Sequence, residues 1–157
     1  MATKSETRAK VEAKAKVKVN TEWLSVCGGC HVALVDLHEK LLELLGEIEL
    51  QRCPVITDIK DHPAADVGLV SGAIRNEHDR EAALAMRTSC DTIIAFGTCA
   101  VYGGISGAGT VHPREEILRT VYVDNPTTET HSPPAQAVDE LEQRVTPLDE
   151  VIDVDLY

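Results

Sequence analysis

Three cysteines on two glycine-rich segments carry the chemistry this sequence offers: Cys27 and Cys30 in Cys27-Gly28-Gly29-Cys30, and Cys99 in Gly97-Thr98-Cys99. Each segment follows an apolar stretch of strand character, ending at Val26 in the first case and Phe96 in the second. If both strands run parallel in one sheet, both loops leave its carboxyl edge, where open α/β sheets place their ligands. Two chemistries fit such a convergence. One is soft-sulfur ligation of iron or zinc. The other is a dithiol pair, Cys27 with Cys30, beside an uninvolved Cys99. Paired glycines free backbone N–H groups to face bound sulfides, and a third thiol exceeds what a dithiol needs. Both points weigh toward a cluster or metal, while a thioredoxin-like dithiol oxidoreductase stays open on the residues alone.

The other candidates read more plainly. Cys53 and Cys90 are expected as small buried hydrophobes. His31, beside Cys30, is a ligand or proton carrier on one reading and a rim residue of a helix first turn on the other, which is favoured. His62, His78, His112 and His131 show no metal-binding spacing, and His38 is alone on its helix. Gly103 to Gly109 do not form G-x-G-x-x-G, so no dinucleotide site is expected. The acidic residues from Asp139 to Asp155 read as a solvated face.

Positioning these thiols requires alternating strands and helices. Strands are expected over Lys16–Val26 (interrupted by Asn20 and Thr21), Ile48–Ile56, Asp66–Val70, Thr92–Phe96 and Val151–Leu156. Helices are expected over His31–Leu45, stopped by Gly46, over Asn76–Arg87, and over the acidic stretch Ala135–Arg144. Residues Ser106–Pro134 read as a long loop with a short helix at Arg114–Thr120 and a brief strand at Val121–Val123. The alternation predicts an α/β fold: a flavodoxin-like, doubly wound parallel sheet with helices on both faces. On this register Cys53 lies inside the second strand, about four residues and on the order of 13 Å below the carboxyl edge. Cys90 lies at the opposite edge, so neither is expected to join the other three.

Length and composition set the bounds. At 157 residues the chain is one domain, and with 43% hydrophobic but only 3% aromatic residues its core is aliphatic. The net charge of −11 divides unevenly: residues 1–20 carry +4 and the remainder −15. An acidic body argues against a nucleic-acid surface. Residues 1–17 are expected to be a basic flexible arm and residues 18–157 the folded domain. No secretory signal, twin-arginine pair or membrane-length apolar run is visible, and five cysteines with a C-x-x-C do not make a secreted disulfide framework. The expectation is a cytoplasmic protein.

Several segments together resemble one family. Glu22-Trp23-Leu24-Ser25-Val26-Cys27-Gly28-Gly29-Cys30 is similar to the proximal-cluster loop of [NiFe]-hydrogenase small subunits, and Asp36 falls where that family often has Asp. The stretches Ala65–Glu77 and Phe96–Ile105 resemble the family's third strand and turn and its next cysteine loop. The resemblance extends from Glu22 to Tyr157 and is nearest to the cytoplasmic branch, viologen-reducing (heterodisulfide-reductase-linked) or NAD-reducing. The related cluster subunit of NADH:quinone oxidoreductase usually has adjacent cysteines in the first loop; here Gly28-Gly29 separates them.

The resemblance implies an electron-transfer subunit. Its [4Fe-4S] cluster relays electrons between a nickel–iron centre in a separate hydrogenase large subunit and a downstream acceptor, alongside further electron-transfer subunits. It implies Cys27, Cys30 and Cys99 as three cluster ligands. The fourth, in a Pro-Gly-Cys turn after a strand like Val151–Leu156, is not in this chain, so the domain is expected to be incomplete at its C-terminus.

Overall fold

The computed structural model describes residues 15–129, 131–133 and 140–157. Four strands, β1 (Val17–Trp23), β2 (Ile48–Arg52), β3 (Ala65–Ser71) and β4 (Cys90–Ala95), form one sheet in the order β2-β1-β3-β4. Every neighbouring pair is parallel. Between them run α1 (Gly29–Val35), α2 (Glu39–Glu47) and α3 (Glu77–Ser89), and α4 (Thr98–Tyr102), α5 (Gly104–Gly107) and α6 (Arg114–Tyr122) follow β4. Helices flank both faces, as a flavodoxin-like sheet requires. Among the described residues no helix is long and apolar enough to cross a membrane.

The core is aliphatic, as the shortage of aromatics demands: Val70, Ile74, Met86, Ile93 and Leu148 have no exposed surface. Helix α3 lies very close to the sheet at Gly68. A Cβ there would come within 2.9 Å of Ile93 Cδ1, Cys90 Sγ and Met86 Cε. The helix starts on Asn76, whose side chain accepts a hydrogen bond from Asp79 N at 2.8 Å. Replacing Asn76 by Ala is expected to destabilise the domain by about 1 kcal/mol, read as a lower urea midpoint at unchanged slope.

The central strand β1 is polar at its middle yet unbroken. Asn20, Thr21 and Glu22 are all buried. Glu22 faces the α3 side, where its carboxylate meets Arg52 Nη1 at 2.6 Å and His62 Nε2 at 2.7 Å. Arg52 Nη1 also donates to Thr21 O, and Asn20 Nδ2 donates to Pro63 O. These bonds satisfy the Glu22 carboxylate and the Asn20 amide nitrogen, which would otherwise be costly to bury. Asn20 Oδ1 and Thr21 Oγ1 have no hydrogen-bond partner among the described residues.

Five details differ from the expectations. The first helix is broken: after Val35 the chain tightens into i→i+3 bonds, and His38 adopts φ 51° before α2 begins. Gly46 lies inside α2 and does not stop it. Strand β2 ends at Arg52, so Cys53 follows the strand instead of sitting within it. Residues 104–122 are largely helical, and Val121 and Tyr122 end α6 instead of forming a strand. Residues 140–144 are not helical, and the earlier part of that expected helix lies largely outside the described residues.

The tail differs most. Val151–Leu156 makes only one parallel bridge, Leu156 to Ile94, beside the free edge of β4. Asp155 explains the shortfall: its carboxylate accepts from Ile93 N at 2.7 Å, occupying the donor that a continuing strand would have used. Arg87 Nη1 holds the same oxygen at 2.7 Å. The bond from Ile93, then Arg87, keeps the Asp155 carboxyl below its usual range.

Candidate iron–sulfur site

Both cysteine loops leave the carboxyl edge of the sheet, and both are tied to the end of β3. Leu24 N donates to Ser71 O at 2.9 Å, and Ser25 and Ala73 exchange two backbone bonds of 3.0 Å. From the other side, Phe96 N donates to Val70 O at 2.8 Å. Gly28, in the left-handed region at φ 85°, then turns the chain into α1, so that Cys30 lies in its first turn. Gly97, at φ 90°, does the same for α4 and Cys99.

The thiols differ in access: Cys27 is exposed, Cys30 half-buried and Cys99 buried. Cys30 reaches across to the second loop, so that its Sγ would lie only 2.2 Å from a Cβ placed on Gly97. Its pKa is raised, first by burial and then by the neighbouring charges of Cys27 and Cys99. Thus the two loops singled out in the sequence meet at one edge, where Cys27 and Cys99 both act on the Cys30 thiol. Among the described residues no three His, Cys, Asp or Glu side chains are arranged around a single ion. A mononuclear zinc centre needs such convergence at about 2.3 Å. A multi-iron cluster distributes its cysteines over separate irons, and the soft, glycine-lined thiol set fits it.

The other cysteines stay apart. Cys90 opens β4 opposite Ala65, the first residue of β3, and so marks the amino edge. Cys53 is buried at the end of β2, where it lines an apolar cavity of about 60 Å³ with Val19, Leu50 and Leu69. Asn20 pairs with Arg52, and β1 continues to Trp23. Cys53 is therefore some two residues, on the order of 7 Å, below the end of β1. The expected distance of roughly 13 Å rested on a longer strand.

His31 is not a rim residue. It is 1% exposed, with its ring edge-on to Trp23 and Phe96 at 5.3 and 6.3 Å between centroids. Its Nδ1 lies 3.0 Å from Ser71 Oγ, which in turn donates to Glu22 O. Burial pushes the imidazole down to about 4, against the opposing pull of Glu22. The ring is neutral near pH 7 and packs the base of the first loop. Ser106, whose hydroxyl donates to Ser25 O at 2.7 Å, ties the segment after Cys99 to the same loop. Sequence reading missed it, because a serine in a glycine-rich stretch carries no signal of its partner.

A parallel sheet with three thiols on glycine loops at its carboxyl edge sets the class of protein to compare. Residues 27–157 match the family model described as NADH ubiquinone oxidoreductase, 20 Kd subunit. A subunit of the vhu F420-non-reducing hydrogenase of Methanocaldococcus jannaschii is 44% identical over 140 residues, which cover 88% of this chain and 49% of that protein. The delta subunit of the NAD-reducing hydrogenase HoxS of Cupriavidus necator is 33% identical over 152 residues, covering 92% and 71%. Among solved structures, an NAD+-reducing [NiFe]-hydrogenase in its H2-reduced state superposes with a TM-score of 0.86 at 29% identity, over 91% of this chain and 81% of that one. The chain belongs to the NADH ubiquinone oxidoreductase 20 Kd subunit family and, within it, groups with the iron–sulfur and delta subunits of hydrogenases. It spans about half the length of the methanogen relatives it matches.

Proposed function

We propose that this chain forms the proximal-cluster domain of a cytoplasmic [NiFe]-hydrogenase small subunit, with Cys27, Cys30 and Cys99 holding a [4Fe-4S] cluster. The observation that carries the reading is the meeting of the two cysteine loops at one sheet edge, with the Cys30 thiol seated on Gly97. When bound, such a cluster supplies one-electron transfer between the nickel–iron centre of a large subunit and a downstream acceptor. The chain's own residues bind and shield it. Cys30, held protonated by burial, gives up its proton on ligating iron. His31, buried with Trp23 and Phe96 edge-on to its ring, packs beneath the first loop. Tyr102 and Ile105, 79% and 68% exposed beside Cys99, offer apolar surface to a large-subunit partner.

Cys53 lies below the carboxyl edge and Cys90 at the opposite one, so the ligands proposed within this chain are Cys27, Cys30 and Cys99. Leu156 lies parallel to Ile94, with its carbonyl accepting from Ala95 N at 2.8 Å. The chain at Leu156 therefore heads toward the edge that carries the Gly97–Cys99 loop.

Anaerobic purification of the protein with its associated subunits tests this reading. Iron, acid-labile sulfide, nickel and hydrogen-dependent reduction of a viologen dye are expected together; absence of nickel and of iron–sulfur absorption contradicts it. The family description favours one second reading, the cluster module of an NADH:quinone oxidoreductase. That reading predicts iron and sulfide without nickel or hydrogen uptake.

The basic arm is proposed to order only against a partner. Residues 1–14 lie outside the described residues, and Val17 already belongs to β1. Deleting Ala2–Ala15 is expected to leave the iron content unchanged while weakening retention of the partner subunits in gel filtration.

A further inference from the structure

We propose that Gly97 is the socket for the Cys30 thiol, and so the positioning residue that lets the C-x-x-C loop close onto the Cys99 loop; this rests on the iron–sulfur reading above. Strands β1 and β4 are not neighbours, because β3 lies between them. Their loops must therefore meet across the end of β3, to which each is separately bonded. Beside the Ser106–Ser25 bond and the His31–Phe96 ring contact, Cys30 Sγ against Gly97 joins the cysteine loops directly. A Cβ on Gly97 would stand 2.2 Å from that sulfur and 3.6 Å from Cys30 Cβ. Non-bonded heavy atoms need about 3.5–4.0 Å, so the sulfur must move. It can do so only by rotating about χ1, and within a helix one of the three rotamers is rarely open. A side chain at Gly97 thus lifts the Cys30 thiol away from Cys99.

Two other glycines show what a positive φ costs without a collision. Gly28 has φ 85° and ψ −17° with nothing within 4 Å of a Cβ, and Gly103 has φ 84° and ψ −28° with its nearest contact at 3.6 Å. Gly97, at ψ 167°, carries a larger glycine-only strain of its own. Removing the Cys30 thiol in the Gly97→Ala background tells that strain from the collision.

The test is site-resolved alkylation by iodoacetamide, read by peptide mass spectrometry on the full-length protein kept anaerobic and iron-free. In Gly97→Ala, Cys30 is expected to react roughly ten-fold faster than in wild type, whereas Gly28→Ala and Gly103→Ala keep it within about two-fold. Cys53 and Cys90 stay protected in all three and report that the fold is intact. A Cys30 rate within about two-fold of wild type in Gly97→Ala, or an equal rise in Gly28→Ala, overturns the proposal. Where Gly97→Ala exposes Cys53 and Cys90 as well, Cys30→Ala in that background decides. A socket predicts that the double variant recovers at least half of the lost Tm, and no recovery overturns it. Iron loading of the wild type is a separate readout: its failure contradicts the functional reading and leaves the thiol rates to judge Gly97.

Discussion

Serine at Cys27, Cys30 or Cys99 is expected to remove most of the iron and sulfide from the anaerobically isolated protein, while Cys53→Ser and Cys90→Ser retain wild-type amounts. The first three lie on the two loops at one carboxyl edge, and the Cys30 thiol pKa is raised by burial and then by Cys27 and Cys99. The other two are buried at 4% exposure, one below the end of β1 and one at the amino edge. Serine oxygen is a harder, more weakly coordinating donor than thiolate, so each loss removes a soft ligand with no substitute nearby. Cys99 is expected to be the most sensitive of the three, since it is buried and no solvent-borne ligand can replace it. Iron per chain, measured beside circular dichroism to confirm folding, checks the series. Retention of full iron in Cys99→Ser would remove Cys99 from the ligand set.

Stability is expected to depend most on Glu22. Its side chain is 6% exposed, and its partners Arg52 and His62 are 11% and 17% exposed. Removing the carboxylate leaves the Arg52 guanidinium buried with only the Thr21 and Lys60 carbonyls as acceptors. Breaking a buried ion pair from one side costs about 3–5 kcal/mol. For a chain of this size each kcal/mol lowers Tm by roughly 2–4 °C. Glu22→Ala is therefore expected to melt roughly 6–20 °C below wild type. Glu22→Gln, which keeps an acceptor for Trp23 N, loses less. Thermal unfolding followed by circular dichroism decides. An unchanged Tm in Glu22→Ala would show that Arg52 is rehydrated through the cleft it shares with Lys60 and His78.

The strand order and the three thiols were legible because their signals are local. Glycine next to cysteine after a short β-branched run says loop at a strand end, and alternation with helices says which end. What escaped depends on partners distant in sequence. Asn20 and Thr21 read as an interruption of an apolar strand until Pro63 and Arg52, 43 and 31 residues away, are placed beside them. His31 reads as a rim residue because nothing local announces Ser71. The tail of alternating apolar and acidic residues has the period of a strand, yet Asp155 takes the backbone donor of Ile93 for its side chain. Gly107 signals a loop by composition, but its φ of −63° is ordinary helix.

The cluster assignment is tested most directly by Mössbauer spectroscopy of the 57Fe-labelled, anaerobically purified protein in its complex, before and after exposure to hydrogen. The three-cysteine site predicts a [4Fe-4S] spectrum that hydrogen reduces and that is lost in Cys27→Ser, Cys30→Ser and Cys99→Ser alike. An iron-free protein whose peptide map shows a Cys27–Cys30 disulfide, with function indifferent to Cys99→Ser, would contradict it.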